Sequence, residues 1–240
     1  MCGRFTLIRL ADFLDEFPWI LPPVEVPPAA GDHRYNIAPT QPVAAVIGGT
    51  SPHVEFVQWG LVPSWAKDAG GGGKLINARA ETLAERPAFR RLLAGRRCLV
   101  PADGFYEWKP EGRGRKTPYY LRLRSGRPFA LAGLWDVWRD PSTGRSLTSC
   151  TIITGEPNAT VAALHNRMAV ILRADDYRRW LSPDALSDAD RSELFAPYPA
   201  EAMEAHPVSS AVNSARSGGP GLVERAEPST APIDPQPLLF

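Results

Sequence analysis

Cys2 directly follows the initiator methionine, and no other residue constrains the chemistry of the chain as much. Aminopeptidases remove a leading Met when the next residue is small, as Cys is. Loss of Met1 would leave an α-amine and a thiol on one residue. Their ordinary pKa values, about 7.7–8.0 and about 8.5, keep both nucleophiles partly available near neutrality. A 1,2-aminothiol condenses with an aldehyde. The amine forms an imine with loss of water, the thiol adds to the imine carbon, and a five-membered thiazolidine closes. No internal cysteine offers that pair. Free cysteines are more often buried and inert than reactive, so the surrounding polar residues must supply the context.

Glu107 lies in Gly104-Phe105-Tyr106-Glu107-Trp108. Strand alternation there puts Phe105 and Glu107 on one face and Tyr106 and Trp108 on the other. An exposed strand carboxylate is the commoner case; one buried beside aromatics would have a raised pKa that suits proton transfer. His165, in Leu164-His165-Asn166-Arg167-Met168, titrates where a proton carrier is useful, although a lone histidine is more often structural. Asn77 and Arg79 are two residues apart, so an extended segment turns an amide and a guanidinium to the same side. That pairing suits a polar, anionic ligand, or else a surface ion pair with Glu81. Trp59, Trp65 and Trp108, with Pro39 and Pro63, offer flat apolar faces. These are either core or platforms for bases and sugars, worth roughly 1–3 kcal/mol per stacked base.

These residues need a frame. The chain has 240 residues, 44% of them hydrophobic, and a formal net charge of +1. That is enough for the core of one mixed domain, with no global attraction to polyanions. Basic residues do cluster locally, at 86–97 and 109–127. Cys2, Cys98 and Cys150 are odd in number and widely spaced, which argues against zinc or a disulfide framework; no metal or cofactor is expected. The N-terminus lacks the apolar run of a signal peptide, and no stretch suits a bilayer span. A monomeric cytoplasmic protein with no membrane partner is expected.

Helical spacing after Thr6 predicts a helix over residues 7–17, a second over 83–93, and short ones at 158–165 and 175–181. Strands are predicted at 42–48, 53–59, 97–101, 104–109, 118–124, 129–138, 147–154 and 168–172. Residues 21–30 read as a Pro-rich connector, 68–74 as a Gly-rich mobile loop, and 210–221 as loop. Together they predict an α+β fold: a single domain over 1–224 with a mainly antiparallel, barrel-like sheet core and short peripheral helices. A Pro-rich tail follows over 225–240.

Several segments, in order, resemble the SRAP (SOS-response-associated peptidase) family of abasic-site processing proteins. They are Cys2-Gly3-Arg4-Phe5, Tyr35-Asn36-Ile37-Ala38-Pro39-Thr40, Trp59-Gly60-Leu61-Val62-Pro63-Ser64-Trp65 and Asn77-Ala78-Arg79-Ala80-Glu81-Thr82. Arg97 to Trp108, His165-Asn166-Arg167-Met168, His206-Pro207-Val208-Ser209 and Val212-Asn213 complete the series. The resemblance implies binding of single-stranded DNA that contains an abasic site, including at junctions with duplex. It implies a thiazolidine crosslink through Cys2 that shields the site from strand breakage, with strand-cleaving lyase activity and self-processing as minor branches. It assigns ring opening to His165, proton transfer to Glu107 and positioning of the adduct to Asn77. Arg4, Arg79 and Arg167 would contact phosphates, with Thr154 donating to one, while Pro39 and Trp65 pack against flanking bases. Association with the nucleoid would follow DNA binding. The family names no replication partner for this chain.

Three other readings fit parts of the pattern. Cys2-Gly3 also opens N-terminal-nucleophile amidohydrolases, but the His-Arg-Gly-Pro and Asn-Gly-Glu runs of the glutamine-dependent ones are absent from the sequence. Cys2 with His165 would equally serve a thiol peptidase. A non-catalytic single-strand binder would need only the basic clusters and aromatics.

Overall fold

In the computed structural model, residues 2–112 and 114–226 are described; from residue 227 onward, the expected tail lies outside them. The chain runs through β1 (Phe5–Leu7), α1 (Leu10–Glu16), β2 (Arg34–Ile37), β3 (Pro42–Ile47), β4 (His53–Trp59) and β5 (Asn77–Arg79). It continues with α2 (Pro87–Gly95), β6 (Arg97–Ala102), β7 (Gly104–Pro110), β8 (Lys116–Leu123), β9 (Phe129–Arg139) and β10 (Ser146–Gly155). The last elements are α3 (Ala159–Ala162), β11 (Met168–Ala169), β12 (Ile171–Leu172), α4 (Tyr177–Leu181), α5 (Asp188–Leu194) and β13 (Met203–Pro207).

The fold is α+β, with its strands in two sheets. β10, β4, β3, β6 and β9 are neighbours in that order, and β9 pairs back onto β10, so five strands close a barrel. Closure removes the exposed edges that an open sheet would leave. Pairing around the barrel is antiparallel except between β4 and β10. The near-continuous apolar runs of β6 and β9 reflect burial on both faces: Leu99, Val100, Leu131 and Leu134 have no exposed surface. The second sheet has the order β13-β8-β7-β1-β2. It packs on the barrel through β1, where Phe5 meets Trp59 edge to face at 5.2 Å between ring centroids. Phe105 joins the main core, whereas Tyr106 belongs to a separate cluster with Tyr120, Val208, Val212 and Leu222, as alternation along β7 predicts.

The expected helix over 7–17 is shorter and starts later. Residues 5–7 pair instead with β2 and β7, and the Thr6 hydroxyl bonds Asp103 across that ladder rather than capping a helix. The expected helix over 83–93 starts at Pro87, whose missing N–H is no loss in a first turn. The strand over 168–172 divides at Val170, which donates to Ile153 and accepts from Ala132, linking β10 to β9. The Gly-rich segment winds as a 3-10 stretch, Ala69–Lys74. Sequence reading missed β2, β13 and α5, the last opened by a reciprocal Ser187–Asp190 capping box.

Candidate active site

The site is assembled where the chain's first residues run beside β7. The ladder pairs Phe5 with Phe105 and Thr6 with Gly104. It is continued by hydrogen bonds from Asp103 N–H to Thr6 O and from Tyr106 N–H to Arg4 O, each 3.0 Å. Extending this antiparallel register by two residues on each strand brings Cys2 alongside the Glu107–Trp108 stretch. Asp103 holds the register: its carboxylate accepts from Ile8 N–H at 2.6 Å and from the Thr6 hydroxyl. Thr6 Oγ1 in turn lies 2.9 Å from the Tyr120 hydroxyl. Burial pushes the Asp103 pKa up, against several hydrogen bonds that lower it. Gly104 is required at the turn, because a Cβ there would overlap the Tyr120 phenol. Asp103-Gly104 is a turn signal in sequence; its role as an anchor is visible only with the strands paired.

Cys2 has no exposed surface. Asn77 Nδ2 donates to the Cys2 carbonyl at 2.8 Å, a bond that ties the second sheet to β5 and, through the Ile152–Asn77 pairing, to barrel strand β10. Asn77 Oδ1 is buried and accepts no hydrogen bond among the described residues. Glu107 is 2% exposed, not the solvent-facing carboxylate of an ordinary strand. Burial raises its pKa, opposed by the positive charge at the chain's amino terminus and by the Trp108 backbone. The Cys2 thiol is pushed far up, by burial first and by the nearby Glu107 charge second. His165 is half-buried, and its Nδ1 accepts from Arg167 N–H at 3.0 Å, which places the proton of the neutral ring on Nε2. Burial and then the amino-terminal charge lower its pKa.

Asn77 and Cys2 are joined by a hydrogen bond and the Glu107 charge acts on the Cys2 thiol, so these three share one polar centre, while the six residues read as DNA contacts divide. Trp65 is 68% exposed, Arg79 is exposed and Pro39 half-buried. Arg4 is committed to protein acceptors: Val212 O at 2.7 Å, Asn36 Oδ1 at 2.8 Å and Asn213 O at 3.3 Å. Arg167 forms a two-pronged pair with Glu81, at 2.7 and 3.0 Å, and donates to Thr154 O at 2.5 Å. Any phosphate would share these two guanidiniums with the protein. Thr154 departs from expectation. It is fully buried in β10, with Oγ1 3.3 Å from Arg167 Nη2, so it reaches the surface only through Arg167. Among the described residues, no three His, Cys, Asp or Glu side chains gather where they could hold a metal ion, and no helix is long and apolar enough to cross a membrane.

A closed barrel with a flanking sheet frames a polar centre built around Cys2. The chain belongs to the SOS response associated peptidase (SRAP) family, whose model matches residues 1–215. It is 43% identical over 228 residues to the abasic site processing protein YoqW of Bacillus subtilis, a match covering 93% of this chain and 99% of that protein. It is 33% identical over 186 residues to the abasic site processing protein HMCES of Xenopus tropicalis, covering 68% of this chain and 55% of that protein. A crystal structure of a Bacteroides thetaiotaomicron protein superposes with a TM-score of 0.82 at 28% identity, covering 94% of this chain and 100% of that one.

Proposed function

We propose that this chain processes abasic sites in single-stranded DNA, including sites next to a duplex junction, by forming a thiazolidine crosslink through Cys2 once Met1 has been removed. The observation that carries the reading is the convergence of Cys2, Asn77 and Glu107: a terminal residue held by its carbonyl beside a buried carboxyl. The names of the relatives support the substrate class.

An abasic sugar equilibrates between a cyclic hemiacetal and an open aldehyde. Neutral His165 moves a proton to or from the ring oxygen as the sugar opens. The Cys2 amine adds to C1′, and the Glu107 carboxyl, kept protonated into a higher pH range by burial, gives its proton to the departing hydroxyl. Water leaves and an imine forms. The thiol then adds to the carbon of the protonated imine; its proton passes to the Glu107 carboxylate, and the nitrogen takes up the C=N electron pair as the neutral ring amine. The order follows from burial, which keeps the sulfur protonated, so nitrogen attacks first. The same raised thiol argues against a general thiol peptidase, which needs a readily formed thiolate. Asn77 keeps the terminal residue oriented, and its buried Oδ1 supplies an acceptor for the new amine. Holding both partners makes the condensation effectively intramolecular, worth up to ~7–11 kcal/mol when orientation is good. Arg79, with Arg4 and Arg167 as shared donors, holds phosphates, and Pro39 and Trp65 pack against flanking bases.

An imine left open would acidify the C2′ proton and permit strand cleavage by β-elimination. Thiol addition removes that electron sink, so lyase activity is the minor branch. Denaturing electrophoresis of Cys2→Ala and Cys2→Ser with an abasic oligonucleotide tests the reading. Both should lose the durable adduct, and both, which keep the amine, should cleave more strand than wild type. An undiminished durable crosslink in Cys2→Ala would overturn it.

A further inference from the structure

We infer that Arg91 and Arg96, fixed beside Trp65 by the buried carboxylate of Asp136, form a second phosphate-binding contact for the DNA strand on the side of the lesion that passes over Trp65. The inference rests on the reading of single-stranded DNA as the ligand and adds a surface that reading did not contain.

Asp136 lies in β9 and is 1% exposed. Its two oxygens accept from Arg96 Nη1 at 2.6 Å, Ser64 N–H at 2.8 Å, Val137 N–H at 2.9 Å and Arg91 Nη2 at 3.3 Å. Arg91 Nη2 also donates to Ser64 Oγ at 2.7 Å. One buried anion thereby fixes two arginines and the turn that precedes Trp65. The turn is held at its other end as well. Ala66 N–H donates to Pro63 O at 2.9 Å, and Trp138 Nε1 donates to Ala66 O at 2.8 Å. Between these anchors the Trp65 indole faces solvent.

The arrangement exceeds what neutralising Asp136 requires. One guanidinium would balance that carboxylate; the second leaves a net positive charge at the turn that carries Trp65. Arg91 and Arg96 are 64% and 38% exposed, and each uses one nitrogen on the anchor, leaving other N–H groups for an incoming anion. Arg96 also stacks over Trp135 at 5.1 Å, which fixes the plane of its fork. Planar guanidiniums in a fixed pose suit phosphate oxygens, and a cationic groove beside an aromatic platform is how proteins track single strands without reading sequence. Within the basic run 86–97, Arg97 is excluded: it is 3% exposed and spent on the carbonyls of Leu93, Trp180, Ser182 and Asp184.

Salt dependence of binding tests the inference, using an oligonucleotide with a stable tetrahydrofuran abasic analogue that cannot crosslink. Each phosphate neutralised on a single strand contributes a slope of about −0.7 in log K against log [salt]. Arg91→Gln, which leaves Arg96 on Asp136, should reduce the magnitude of the slope by about 0.7, and Arg91→Gln/Arg96→Gln by about 1.4. If the double variant fails to fold around an unpaired Asp136, the triple variant that adds Asp136→Asn carries the same expectation. Arg127→Gln, which breaks an exposed pair with Glu16 elsewhere on the surface, should leave the slope at the wild-type value. A slope unchanged in Arg91→Gln, or lowered equally in Arg127→Gln, overturns the inference. Covalent capture of a natural abasic oligonucleotide by wild type is read in parallel. Its absence alongside a reduced slope in Arg91→Gln would sink the crosslinking reading while supporting this surface.

Discussion

Replacing Glu107 by Gln should slow lesion capture and at the same time stabilise the folded protein at neutral pH. Gln keeps the volume of a residue that is 2% exposed, but it can neither give nor take the transferred proton. Positioned acid–base groups contribute about 10²–10⁴-fold. Since His165 serves the sugar-opening step separately, the loss falls on dehydration and ring closure, so the lower end, about 10²-fold, is expected. That corresponds to about 2.7 kcal/mol of barrier. Stability moves the other way. Burial raises the Glu107 pKa, so the folded chain holds this proton more tightly than the unfolded chain does. The wild-type protein therefore has the full benefit of the protonated carboxyl below the ordinary carboxylate value, about 4.3, and loses it as pH rises through the folded value. At pH 7–8 the neutral amide escapes that penalty, and the difference between variant and wild type closes on acidification. Single-turnover crosslinking and urea unfolding across pH measure the two effects. A variant that captures at the wild-type rate, or that is less stable than wild type at pH 7.5, would refute the assignment of a buried, proton-carrying Glu107.

Three further outcomes follow from the geometry. Burial lowers the His165 pKa, so the acid limb that His165 adds to the capture rate should lie below the ordinary imidazole value, apart from the fall that protonation of the Cys2 amine causes at higher pH; in His165→Gln the overall rate should drop and that lower limb should vanish from the pH–rate profile. Gly104→Ala should force a Cβ into the buried Tyr120 phenol, lowering the urea midpoint by the equivalent of about 1–3 kcal/mol with an unchanged m-value and slowing capture by disturbing the β1–β7 register. Arg97→Met would strand two buried carbonyl acceptors, those of Leu93 and Trp180, at about 1 kcal/mol or more each, and should lower the melting temperature by about 4–8 °C in thermal unfolding.

Much of the site is legible in the sequence because the signals are local. Position two identifies Cys2, and the alternation Phe105-Tyr106-Glu107-Trp108 puts Glu107 on one face with Phe105, although only the fold shows that face to be buried. What places these residues together is not local. The parallel pairing of β4 with β10 in the barrel, and the carboxylates of Asp103 and Asp136 that pin separate strands and turns, join residues dozens to nearly a hundred positions apart. The helix expected from Thr6 illustrates the competition: its apolar spacing is real, but residues 5–7 find ladder partners on both sides, and tertiary pairing overrides propensity. Arg4 and Arg167 show the opposite limit, since a basic residue reads as a phosphate contact until its acceptors in Asn36, Val212, Glu81 and Thr154 are seen. The α5 helix had a local mark, Ser187 followed three residues later by Asp190, but with Asp in place of the usual Glu or Gln.

The central claim is that the processed amino terminus supplies both the nitrogen and the sulfur that seal the lesion. Intact-mass spectrometry of the purified chain, before and after incubation with an abasic oligonucleotide, tests it most directly. The predicted result is a starting mass lacking Met1 and a product heavier by the oligonucleotide less one water. A chain that retains Met1 and still gains the DNA mass durably would contradict it.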